Sequence, residues 1–143
     1  MNELEFYEQL YKDADMGYEA VENLMPKVSD KHLRHDMALH MDGYRHFSRL
    51  AKEKLEDAHH TPKKESAMAR VPARVGMAMS TLFDTSAAHV AELMIDGSNM
   101  GILSMQKNLN RLRESGGAEE AQDVCRKVID FEQDNIKRMN QYL

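Results

Sequence analysis

Apolar residues return every three or four positions over four long stretches of this chain, and almost nowhere do they alternate or form β-branched runs. That period is one face of an α-helix, so the spacing predicts an all-α fold built from long amphipathic helices. The first runs from about Glu3 to Met25, with Leu4, Tyr7, Leu10, Tyr11, Ala14, Tyr18, Val21 and Met25 on its inner face. Pro26 removes a backbone donor and stops it, and Ser29 or Asp30 can cap the next helix. The second runs from about Lys31 to Leu55 with Leu33, Met37, Tyr44, Phe47 and Ala51 inward and His40 in their midst.

From His59 to Pro72 the pattern breaks: two prolines, a local basic excess and no sustained period mark the start of a crossover. Arg74 to Phe83 is predicted as a short Met-rich helical segment. Asp84-Thr85-Ser86 supplies a stop and a fresh cap. The third long helix then runs from about Ala87 to Arg113 over Val90, Ala91, Met94, Gly101, Met105, Leu109 and Leu112. Gly116-Gly117 ends it, and the last helix, Ala118 to Leu143, turns inward Ala121, Val124, Cys125, Val128, Met139 and Tyr142.

Link lengths decide the expected topology. Short links make each helical pair antiparallel. A helix of ~27 residues is ~40 Å long at 1.5 Å per residue, and the stretch between the pairs is long enough to return the chain along the bundle. The expectation is a single domain over 1–143, an up-down-down-up bundle with one long crossover that carries a short extra helix.

Charge and cysteine usage narrow the partners. A net charge of −5 disfavours a nucleic-acid binder, which needs a dominant basic face. No apolar run approaches the ~18–20 residues that span a bilayer. The acidic start, Met1-Asn2-Glu3-Leu4-Glu5-Phe6, lacks the basic and apolar stretches of a secretory signal. The lone Cys125 cannot form an internal disulfide. A cytoplasmic protein is expected.

The phrase Asp13-Ala14-Asp15-Met16-Gly17-Tyr18, the stretch from Ala88 to Ile102 (AHVAELMIDGSNMGI) and the overall spacing resemble uncharacterised bacterial ferritin-like four-helix-bundle proteins. The resemblance covers nearly the whole chain and implies a ferritin-like bundle. It does not by itself imply an activity, because that group includes members with none established.

Di-iron proteins of this fold need one inward Glu from each of two helices and a Glu-x-x-His pair from each of the other two. The three-residue step places carboxylate and imidazole one turn apart on one face. Here Met37 stands three residues before His40, and Asp36 is an edge substitute. In the last helix Glu132 faces inward, but Asn135 stands where the second histidine belongs. The central inward positions of the other two helices are Ala14, Tyr18 and Val21, and Met94, Ser98 and Gly101. The conventional ligand set is therefore incomplete. His40 and Glu132 are each about ten residues from the same end of antiparallel helices, so they share a level, with Asn135, Tyr18 and Ser98 expected nearby. Three readings stay open: a self-satisfied polar pair that fixes register, a reduced or single-ion metal site on His40, Glu132 and Asp36, and a small-molecule pocket.

Other features carry less. Gly17, Gly43, Gly97 and Gly101 interrupt helices at about 1 kcal/mol each relative to Ala, so close helix approach is expected there. Leu93, Met100 and Leu103 form a second stripe that either the crossover covers or a second copy meets. Met68, Met77 and Met79 with His59 and His60 are core filler rather than a copper site. Cys125 is expected to be packing. The functional expectation is a non-catalytic binding or interaction protein, a homodimer with a degenerate metal site and no cofactor. The alternative is an iron- or manganese-binding oxidase or iron-handling protein rebuilt around His40 and Glu132.

Overall fold

A computed structural model describes residues 1–62 and 84–143, and among them every regular element is helical. The elements are α1 (Glu3–Leu24), a 3₁₀ turn (Met25–Lys27), α2 (Lys31–Asp57), α3 (Ala87–Glu114) and α4 (Glu119–Asn140). The short helix expected over Arg74–Phe83 and the methionines Met68, Met77 and Met79 lie outside the described residues.

Local chemistry sets the boundaries. The Asn2 carboxamide oxygen accepts from the Glu5 amide at 2.8 Å while the Glu5 carboxylate accepts from the Asn2 amide at 3.1 Å, a reciprocal capping box. Pro26 sits in the 3₁₀ turn that ends α1. Asp30 caps α2 by accepting from the Leu33 amide at 2.8 Å. Between them, one guanidinium nitrogen of Arg34 donates to the carbonyls of Met25 (2.8 Å) and Val28 (3.0 Å), filling acceptors that the turn leaves open. Ser86 caps α3 through the His89 amide.

Contacts between elements give their directions. α1 packs along α2, and α3 along α4, as two hairpins. Lys54 near the end of α2 pairs with Glu120 at the start of α4. At the other end the Tyr142 hydroxyl and the Gln141 amide donate to Asp36 near the start of α2. The Ser115 hydroxyl, just after α3, reaches the Met1 carbonyl at 2.7 Å. The end of α2 thus shares one end of the bundle with the end of α3, so α2 and α3 run in the same direction.

The interior is not one continuous apolar core. One cluster fills the end where α1 begins, around Phe6, Leu10, Leu55, Leu112 and Cys125. A second fills the opposite end, around Val21, Leu33, Met37, Val90 and Met139. Between them lie the buried polar side chains His40, Ser98, Glu132 and Asn135. Most positions expected to face inward do so, with a rotation at the start of α1: Phe6 is fully buried while Leu4 is 39% exposed. Leu93 packs against the second cluster, whereas Met100 and Leu103 remain exposed.

Candidate functional site

The polar layer is contributed by three helices. His40 and Tyr44 stand one turn apart on α2, Ser98 is midway along α3, and Glu132 and Asn135 are one turn apart on α4. His40, Ser98, Glu132 and Asn135 are each at most 2% exposed. Tyr44 is half-buried, and its hydroxyl points inward to Glu132.

Glu132 is the hub. Its Oε1 accepts from the Tyr44 hydroxyl at 3.0 Å, the Asn135 amide at 3.1 Å and the Ser98 hydroxyl at 3.3 Å. Its Oε2 lies 3.0 Å from the same Tyr44 hydroxyl. His40 Nε2 is 3.4 Å from Ser98 Oγ and 3.5 Å from Glu132 Oε1. Because the Ser98 proton is committed to Glu132, Ser98 accepts from His40, which assigns the Nε2–H tautomer. His40 Nδ1 is then an acceptor, buried without a hydrogen-bond partner among the described residues. Asn135 is oriented in turn, since Arg138 donates to its carbonyl oxygen at 2.9 Å and leaves its NH₂ for Glu132. A buried carboxylate is costly unless donors replace its water, and these groups supply them. Burial, then the negative charge of Glu132, hold the Tyr44 hydroxyl well above the ordinary tyrosine range, so it remains a donor.

Aromatic rings wall the layer. His40 stacks on Tyr44 with centroids 5.1 Å apart, and Phe131 meets both rings edge-on at 5.8 and 5.3 Å. Glycines then make room for the wall. A Cβ on Gly17 would lie 2.9 Å from the Tyr44 ring, one on Gly43 2.0 Å from Phe131, and one on Gly101 2.4 Å from Glu132 Oε2. The close approach expected at the helix-interior glycines is therefore an approach of site side chains. Gly97 differs, with nothing among the described residues within 4 Å of its added Cβ.

Sequence reasoning placed His40, Glu132, Ser98 and Asn135 at one level, and the structure brings them together. It does not bring in Asp36 or Tyr18. Asp36 accepts from Tyr142 and Gln141, tying down the C-terminal end of α4. Tyr18 lies under Arg45, whose guanidinium carbon is 4.9 Å from the ring centroid, and its hydroxyl accepts from that side chain. Tyr44 was assigned only to the apolar face. Its four-residue step from His40 was the available signal, because it puts the hydroxyl one turn along the same face.

The donors present do not fit a di-iron centre. Met37, where a carboxylate would precede His40, is fully buried. Of the neighbouring carboxylates, Glu22, Glu92 and Asp96 are exposed and Asp15 is half-buried. Among the described residues no three His, Cys, Asp or Glu side chains are grouped to hold an ion. Cys125 is buried, and burial pushes its thiol up to about 12, which leaves it a packing group rather than a nucleophile. No helix among the described residues is long and apolar enough to cross a membrane. Comparison with protein-family models, curated proteins and solved structures finds no match.

Proposed function

We propose that the chain is a ferritin-like bundle without di-iron chemistry, a non-catalytic binding or interaction protein whose degenerate metal site has become a hydrogen-bonded layer. The connectivity supports the fold part: two antiparallel hairpins, α2 and α3 in the same direction, and one long crossover are the ferritin-like arrangement. The carrying observation for the function is that Glu132, the single carboxylate of the layer, is engaged by neutral donors from α2, α3 and α4. Such a group fixes helix register and offers no pair of ions to dioxygen. The buried lone cysteine accords with a cytoplasmic setting.

The test is Fe(II) loading under anaerobic conditions followed by oxygen-electrode measurement. Uptake no faster than Fe(II) in buffer is expected. Sustained chain-dependent uptake, abolished in His40→Ala, would establish the second reading: an iron or manganese oxidase or iron-handling protein rebuilt around His40, Glu132 and Asp36. The 3.5 Å approach of His40 to Glu132 favours that reading, but Asp36 would have to leave Tyr142. We assign the exposed Met100 and Leu103 on α3 to a homodimer contact. Light scattering at high concentration should give twice the 16.4 kDa chain mass, and a monomer there would remove the assignment.

A further inference from the structure

Among the described residues, α3 carries a stripe of exposed side chains: Glu92, Asp96, Met100, Leu103, Lys107 and Arg111. At 3.6 residues per turn they fall within about 100° of arc and so share one face of the helix. Met100 and Leu103, 40% and 57% exposed, form its apolar centre. Two acidic residues precede that centre and two basic residues follow it. The order is symmetric about the midpoint between Gly101 and Ile102. Glu92 and Arg111 stand equally far from that point, as do Asp96 and Lys107, and Met100 and Leu103.

A two-fold interface sets a patch against itself, so the patch must complement itself. Laid antiparallel on a second copy of α3, this stripe places Glu92 opposite Arg111, Asp96 opposite Lys107 and Met100 opposite Leu103. Laid parallel, each charge meets its own kind, and like charges in apposition repel. We propose that two chains pair through this stripe, α3 antiparallel to α3, across a two-fold axis level with Gly101 and Ile102. The inference rests on the homodimer assignment above and specifies its surface, its direction and its charge pairing. The apolar centre supplies the attraction, and the charged pairs at the rim fix the orientation. With only Met100 and Leu103 from each copy at that centre, the pairing is weak and concentration-dependent. Glu92 is open to such a partner: its side chain is 65% exposed, with His89 Nδ1 at 3.7 Å. Asp96 is already engaged within its own chain, so the test falls on Glu92 and Arg111.

The test is sedimentation equilibrium of full-length protein over a concentration series. Glu92→Arg and Arg111→Glu each set like charges together at two symmetry-related contacts. Each should weaken self-association by about tenfold or more, most strongly at low salt. The two reversals in one chain restore opposite charges and should return the dimer to near the parent's strength. An equimolar mixture of the two single variants should form heterodimers, since every rim contact between them is again of opposite sign. Lys127→Glu, a reversal at an exposed position on α4, should leave association unchanged. A parent dimer that both single reversals leave intact, or one that the double reversal fails to restore, would overturn this pairing while leaving the homodimer assignment. A monomeric parent would overturn both, and the non-catalytic reading would still stand on its oxygen-uptake test.

Discussion

Gly97 and Gly101 are one turn apart on α3 and carry opposite consequences. With no described residue within 4 Å of its missing Cβ, Gly97→Ala should raise stability by about 0.5–1 kcal/mol through helix propensity alone. At Gly101 the same methyl would sit 2.4 Å from Glu132 Oε2. The carboxylate must move away from Tyr44 and Ser98, so Gly101→Ala should cost about 1–3 kcal/mol despite the same propensity gain. Urea denaturation of the two variants checks both signs, and equal shifts would show that Glu132 does not depend on Gly101. Cys125 gives a second residue-scale prediction. A buried thiol pushed to about 12 should resist iodoacetamide in the native protein at pH 8 and react fully once the chain is unfolded. Rapid native alkylation would place the side chain elsewhere than in the first cluster.

At the scale of elements, the starts of α1, α2 and α3 are secured by side-chain caps that the residues announce. Asp30 caps α2 and Arg34 reaches back over the α1–α2 turn. Asp30→Ala should therefore cost about 1 kcal/mol in thermal or denaturant unfolding, and an unchanged midpoint would mean that another group has taken over the Leu33 amide. α4 begins differently, with Ala118 in the left-handed region at φ 58° and no side-chain cap. Nothing about alanine signals that conformation. It is imposed by the tight link after Gly116, itself at φ 72°, which folds α4 back along α3. The helices were legible because period, proline, caps and glycines are local. The rotation that buries Phe6 and exposes Leu4 was not, since both residues fit a helical face and only packing within the first cluster selects one.

For the whole molecule, alkaline pH is the revealing variable. Burial, followed by Glu132 for Tyr44 and by Glu120 and Glu3 for Tyr7, raises both hydroxyls above the ordinary value of 10.0. Above pH 10 the unfolded chain gives up these protons while the folded one retains them. The stability present below that pH is therefore lost as pH rises toward the folded values, at up to about 1.4 kcal/mol per pH unit per tyrosine. Tyr44→Phe should flatten the decline of denaturation midpoint above pH 10 even though it lowers stability near neutrality through the lost hydrogen bond. A slope identical to that of the parent protein would mean that Tyr44 titrates alike in both states.

Residue order alone determined the class and the number of long helices, their approximate ends, and the incompleteness of a di-iron ligand set, because each rests on spacing within one segment. It also placed His40 and Glu132 at one level, since antiparallel helices of known length leave little freedom of register. Only the tertiary structure decided which side chains of that level converge. Asp36 is as near to His40 in sequence as Tyr44 is, yet it turns to Tyr142, and Tyr44 turns inward. A four-residue step fixes which face of a helix a group occupies. Which neighbour it bonds depends on the partner that the facing helix presents, and on the room that Gly17, Gly43 and Gly101 leave for it.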